Sequence, residues 1–424
     1  MMRRIKFLMV LVLVSALLAF ITWPRWSGGV DKAHRKMSRM FTPPPIEPDK
    51  KVEPVTALPE RFYPTARMHT LPLHQHLNLV VEVSSEEGEV ASRLREDLSA
   101  YEVRSRLIYQ VPRAARTLEE LDSRGTALER SWPNLETLIQ DSRVSPFYHS
   151  LYERKVTFLN QRLTHVREFP HRHNMYDCDT ILEMTSADGL HRALLIQADM
   201  DVVTDGTDPD RTMEVDSRSP TFQPFTAYNW PRQTRHPHPL EADYMKEKTE
   251  LELAMKRDGL SADERYSMTL RLRVIRQSLE AMKYRSTLVS SLDPFIVVPV
   301  FMTRESSAHA PKVGDYALVF YGEQIWPAVV GDTGPNSKVG EASLKIARQL
   351  DSSIDGSARS RPVSTLGVTY LIFNGSADAK MSPPDLQRWE QHCKEWFKKW
   401  GGDPMAISSW QAGNPVPASN AHTE

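Results

Sequence analysis

Residues 314–350 read GDYALVFYGEQIWPAVVGDTGPNSKVGEASLKIARQL, and the fold turns on how this stretch is divided. Tyr316–Phe320 and Ile325–Val330 are short β-type runs with a turn signal at Gly322 between them. Asp332 follows the second run in a Gly-Pro turn, and Glu341 opens a pattern of helical spacing that reaches Leu350. The turn between them can fold both carboxylates into one cleft. Working outward, Thr180–Met184, Ala193–Ala198, Phe295–Val300 and Thr369–Phe373 are runs of the same kind. Six short strands with turn signals between them point to a small barrel or sandwich.

A charged helical pair interrupts this β region from about Pro239 to Arg285. Its first helix stops near Asp258-Gly259, and Ser261-Ala262-Asp263-Glu264 is a capping box that opens the second. Charges of both signs interleave along it, as on a solvated face. Pro384–Trp400 reads as an amphipathic helix whose tryptophans pack on the barrel, and 401–424 reads as a disordered tail.

Upstream, Arg3, Arg4 and Lys6 precede the uncharged apolar run Phe7–Ile21, which marks an export signal. No small-residue cleavage site follows it, so residues 1–23 are read as a signal anchor, with a cleaved signal peptide as the alternative. Residues 24–76 are read as a Pro-rich tether, since nine prolines fall between Pro24 and Leu77 without apolar periodicity. His76–Val83 has the look of a strand. The rest of 77–165 is read as mainly helical, on Val90, Leu94, Leu98 and Tyr101 at near-helical spacing.

The 424 residues include 53 Lys and Arg against 54 Asp and Glu, which leaves no excess of positive charge for a nucleic-acid binder. The 2 cysteines, Cys178 and Cys393, can make one bridge and no cysteine-rich zinc site. H-x-H pairs occur at His171/His173 and His236/His238, but no H-E-x-x-H, no G-x-S-x-G elbow and no phosphate-binding glycine loop is present. No metal or cofactor is therefore expected.

Two constellations can carry chemistry. In ALLIQADMDVVTDG (Ala193–Gly206) an apolar strand runs into Asp199, Asp201 and Asp205. Their spacing departs from the EF-hand loop, leaving a calcium loop, a polar strand end or a subsite for a cationic substrate. From Asp177 to Trp230 eleven acidic residues face three arginines, a local net of −8 that would focus a positive ligand. The other constellation is Asp332 with Glu341, since paired carboxylates flanking a scissile bond are what glycoside hydrolysis needs. An Asx-type cap and a helix-dipole partner are the ordinary roles for such residues.

GDTGP followed by GEAS within Gly314–Leu350 resembles the family 75 glycoside hydrolases, the fungal-type chitosanases. ALLIQADMDVVTDG, LDPFIVVPVF (Leu292–Phe301) and YLIFNGSAD (Tyr370–Asp378) support the likeness over roughly 176–378. It implies Asp332 and Glu341 as the catalytic pair of an inverting endo-chitosanase, and Asp199, Asp201 and Asp205 as substrate-binding residues. The expected fold is a mainly β catalytic domain over 166–384, a small closed barrel with the double-psi type as candidate. It carries the helical insertion at about 239–285 and is followed by the helix 385–400. The expected partners are a cationic, chitosan-like polysaccharide and, through the N-terminal segment, a membrane, with the protein facing the periplasm or exterior or, alternatively, secreted. A catalytically silent carbohydrate- or envelope-binding module on a tether is the competing reading.

Overall fold

The computed structural model describes residues 65–74, 77–85, 101–125, 128–164, 175–215, 222–356 and 362–410. The signal anchor at 1–23 and the tail beyond 410 lie outside them. The described residues fall in two compact units, divided between Ala114 and Ala115.

The smaller unit contains an antiparallel sheet of β1 (Thr65–His74), β2 (Leu77–Ser85) and β3 (Tyr101–Tyr109), in that order. β2 is the strand expected from His76. β1 replaces the last part of the expected tether. Pro72 is tolerated because β1 is an edge strand and its register with β2 shifts between Pro72 and His74. β3 takes the place of expected helix because Tyr101, Val103, Leu107 and Tyr109 recur at period two. Residues 86–100, which carried most of the helical spacing, lie outside the described residues.

In the larger unit the helices Leu118–Asp122, Leu135–Gln140 and Pro146–Thr164 do fall within the stretch read as helical. β4 (Arg143–Val144) lies between the last two helices, and β5 (Cys178–Thr185) and β6 (Arg192–Val203) follow them. β7 (Asn229–Pro231) and β8 (Arg285–Thr287) pair with each other and tie together the two ends of the inserted helical hairpin. β9 (Phe295–Pro299), β10 (Tyr316–Tyr321), β11 (Gln324–Gly334), β12 (Glu341–Ser343) and β13 (Val363–Asn374) follow.

The strand order β12-β9-β11-β10-β13-β6 closes on itself through a β12–β6 pairing, so the fold is a six-stranded mixed barrel. β11–β9 and β12–β6 are the parallel pairs. β5 and then β4 extend the sheet from β6. β6 shows no apolar-polar alternation because Ala193–Asp201 is buried along its whole length, with cover on both faces.

The insertion is the expected pair of helices, Glu241–Ala254 and Ala262–Tyr284, and the Ser261/Glu264 capping box forms. Arg271 clamps Glu247 and Arg276 reaches Glu252 across the hairpin. Its apolar seam of Ile275, Leu279 and Met282 gathers Phe225, Leu240 and Leu251.

The C-terminal helix Leu386–Lys399 buries Trp389, Cys393 and Phe397. The Cys393 thiol points at the carbonyls of Ala317 and Ala328, so the helix lies on β10 and β11. Both cysteines are buried and free, and no bridge joins them. The tail expected to be disordered from 401 is part of the fold as far as Trp410. There Ser408 N donates to Ile325 O, and Trp410 Nε1 donates to Pro327 O at 2.9 Å.

Trp132 ties the early helices to this end of the barrel. Fully buried, it donates from Nε1 to Trp400 O at 2.7 Å and meets Phe397 edge-on at 5.3 Å. Trp132→Ala removes this side chain from a closed core and is expected to cost about 3–5 kcal/mol in denaturant unfolding. A loss below about 1 kcal/mol would mean that residues 115–164 are not integral to the barrel unit.

Candidate active site

The closure of the barrel decides which side chains meet. Gly331 forms a bulge in β11, seen as a register shift between Val330 and Asp332 against β9. A side chain there would collide with Phe295 and Leu288, its Cβ falling 2.5 Å from Phe295 Cβ. Beyond the bulge Asp332 pairs with Val297 on β9, Val297 pairs with Glu341 on β12, and Glu341 pairs with Asp201 on β6. Register partners present their side chains to one face of a sheet. Asp332, Val297, Glu341 and Asp201 therefore form one row across four strands. Two strand spacings, roughly 10 Å in all, separate the backbones of Asp332 and Glu341.

Gly334 lies two residues beyond Asp332 and shares its face. A Cβ at this position would stand 2.6 Å from Glu341 Oε2 and 3.0 Å from Val297 Cγ1. The Glu341 carboxylate thus leans across Val297 toward the strand that carries Asp332, into space that only glycine leaves.

Glu341 is not at a helix start. It lies in the three-residue strand β12, and the helix begins at Leu344 with Ser343 as its N-cap. The positive end expected from a helix dipole is supplied by Lys338, whose Nζ donates to Glu341 Oε1 at 2.9 Å and to Asp201 Oδ2 at 2.6 Å. Burial disfavours the Lys338 ammonium, but Glu341 and Asp201 outweigh it and hold the group charged.

Asp332 is almost fully buried. Its Oδ1 accepts the backbone N–H groups of Ala227 and Thr333, each at 2.8 Å. Asp205 stands beyond the end of β6, and its Oδ1 accepts Gln223 N at 2.8 Å. Burial, reinforced by the negative charge of Asp332, pushes the Asp205 carboxyl well above the usual range. It is thereby kept protonated beside Asp332.

Asp199, Asp201 and Asp205 are gathered next to the carboxylate pair, yet they are only 2%, 8% and 7% exposed. The −8 balance is read from the sequence as focusing a positive ligand, and these three side chains turn inward. Burial, with Asp177 and Asp201 adding like charge, raises the Asp199 carboxyl to about 10. Its backbone carbonyl accepts the Tyr370 hydroxyl at 2.9 Å and lies against Gly340. Asp177 is itself raised by burial to about 6, against the pull of Lys155. The two lysines were not singled out from the sequence. The only signal was the placement of Lys338 between GDTGP and GEAS. His171 and His173 lie outside the described residues. His238 is a buried structural histidine on the Thr207 hydroxyl, and among the described residues no cluster of His, Cys, Asp and Glu is arranged to hold a metal.

A carboxyl raised in the folded state binds a proton that the unfolded chain has already released, so stability falls as pH rises above the ordinary aspartate value of about 4. Asp205→Asn keeps the Oδ1 acceptor for Gln223 and removes that penalty. The variant is expected to unfold a few degrees above the wild type at pH 7, with the gap closing toward pH 4. A gap that is absent at pH 7, or that widens on acidification, would contradict a protonated Asp205.

Residues 200–400 match the family model described as fungal chitosanase of glycosyl hydrolase group 75, beginning inside β6 and running past 378 through the C-terminal helix. No curated protein matches the chain. The matched residues hold Asp201, Asp205, Asp332, Lys338 and Glu341, and the match supports a glycoside hydrolase of the chitosanase type over this segment.

Proposed function

We propose that this protein is an exported, endo-acting hydrolase that cleaves the β-1,4 bonds of chitosan with inversion at the anomeric carbon. The observation that carries this reading is the row Asp332–Val297–Glu341. It sets two carboxylates on one face of the barrel with a residue between them, inside the segment that resembles chitosanases. Inverting hydrolysis needs two carboxyl groups about 6.5–9.5 Å apart, one on each side of the scissile bond, with room for a water molecule. Side chains reaching from backbones roughly 10 Å apart meet that requirement.

The roles follow from surroundings. Glu341, facing the Lys338 ammonium, is assigned the removal of a proton from the attacking water. Asp332 is the drier group, so it is assigned the donation of a proton to the leaving oxygen. Asp201 holds Lys338 in place from the other side. Asp199 and Asp205 are buried neutral carboxyls that border the site rather than an exposed binding surface.

Asp332→Asn and Glu341→Gln keep the shape of each side chain and remove proton transfer, so each is expected to lower the release of reducing ends from soluble chitosan by about 10²–10⁴-fold. Proton NMR of early products should show inverted configuration. Either variant at near wild-type turnover, or products of retained configuration, would refute the assignment. Chitosan bound by the wild type without cleavage would favour the silent binding module.

Export rests on the basic Met1–Lys6 and the apolar Phe7–Ile21. No helix among the described residues is long and apolar enough to cross a membrane, and the N-terminal run lies outside them. With the run retained as an anchor, cell fractionation should place the protein with membranes and N-terminal sequencing should find residue 1 or 2. A soluble product starting after Ala16 or Ala19 would show cleavage instead.

A further inference from the structure

Lys155 lies in the helix Pro146–Thr164, upstream of the segment that matches the family. A lysine with no exposed surface is uncommon, and it needs partners for its charge. Here Nζ donates to Asp177 Oδ2 at 2.8 Å and to Ser337 O at 2.7 Å. Asp177 Oδ2 also accepts Val339 N at 3.3 Å. The buried pair therefore grips the chain immediately before and immediately after Lys338, by the carbonyl on one side and the N–H on the other. The same loop is pinned at its ends, where Phe301 N donates to Asn336 Oδ1 at 2.8 Å and Asp201 N donates to Gly340 O at 2.7 Å.

We propose that Lys155 is a positioning residue of the hydrolase site, which acts with Asp177 to hold the 336–340 loop so that Lys338 stays between Asp201 and Glu341. The helix Pro146–Thr164 is then a working part of the active site although it precedes the matched segment. The inference rests on Glu341 being the base of the proposed hydrolysis.

Lys338 is the cation in contact with Glu341, and an opposite charge within about 4–6 Å favours a carboxylate by one to three pH units. Asp332 across Val297, Asp205, Tyr370 and, through Lys338, Asp199, Asp201 and Asp177 are the other ionisable groups around it. A loop released from Lys155 and Asp177 would let Lys338 withdraw. With that positive charge gone from beside the site's carboxyls, the acid limb of the kcat profile would move up. A fall in the folded fraction would lower the whole profile without moving it.

The test is the pH dependence of kcat on soluble chitosan for the full-length protein carrying Lys155→Met with Asp177→Leu. This replacement removes both buried charges at once, so neither is left unpaired and the net charge is unchanged. A limb raised by about one pH unit or more, with kcat at its optimum reduced roughly ten- to a hundredfold, is expected. Lys338→Met, at a partly exposed position, should raise the limb in the same direction. If the double variant does not fold, Asp177→Asn, which keeps the shape and leaves the Lys155–Ser337 bond, is read in its place and should show a smaller shift in the same direction. A folded variant of the pair with the wild-type limb and wild-type kcat overturns the proposal, as does an unmoved limb in Lys338→Met. A wild-type protein that releases no reducing ends refutes the assigned activity instead, and with it the premise of this inference.

Discussion

The structure depends on the closure of a six-stranded barrel through a strand of three residues. β12 has to pair with β9 on one side and β6 on the other, and Glu341–Ser343 is all the chain it has for the purpose. Glu341 and Ala342 make both pairings. Closure and chemistry are thus one constraint: the register that closes the barrel also aligns Glu341 with Val297 and Asp201, and the Gly331 bulge brings Asp332 into the same row. Two glycines are required by this arrangement. Gly334 leaves room for the Glu341 carboxylate, and Gly340, at φ 77°, lets the chain pass against Asp199 where a Cβ would fall 2.4 Å from its carbonyl oxygen.

The crowding of acids has an electrostatic consequence. Asp177, Asp199, Asp201, Asp205, Asp332 and Glu341 are gathered around Lys155 and Lys338, an excess of carboxyl groups over ammonium groups in a buried setting. Like charges at short range in low dielectric cannot all remain ionised, so protons are retained where solvation is poorest. The raised carboxyls of Asp199 and Asp205 are where that occurs. Asp201 and Glu341 face Lys338 directly and so have a cation to answer their charge. Burial and contact with lysine thus give the carboxyls of the site unlike surroundings, which is what distinct acid and base roles demand.

Much of this was legible in the amino-acid order. The strand runs, the capping box at Ser261 and Glu264, the inserted hairpin and the packed C-terminal helix each follow a local pattern that a tertiary structure had no reason to override. The rest failed for identifiable reasons. GEASLKIARQL has helical spacing throughout, and a three-residue strand has no period of its own, so the pairing demanded by closure took Glu341 out of the helix. Counting charge between Asp177 and Trp230 could not show that β6 runs through the interior and turns its aspartates inward. Thr65–His74 was masked by Pro72, and the first ten residues of the tail by their Gly and Pro content. Lys155 stands 183 residues before Lys338 in the chain, a separation across which spacing carries no information.

The buried pair of Lys155 and Asp177 also bears on why the early helices and the barrel form one unit. Desolvating two charges costs several kcal/mol for each, and their attraction repays this only when further hydrogen bonds complete the site, so such a pair contributes little net stability and exchange for apolar residues is often neutral. Stability of the unit is supplied elsewhere, by the closed packing of Trp132, Phe397 and Trp400. What the ion pair supplies is direction. An apolar contact at Lys155 would hold the helix against the barrel equally well, but it would offer no donor to Ser337 O and no acceptor to Val339 N, and those two peptide groups are what set the angle from which Lys338 reaches Glu341. The apolar core fixes where the helix lies, and the polar pair beneath the loop fixes where one ammonium group points.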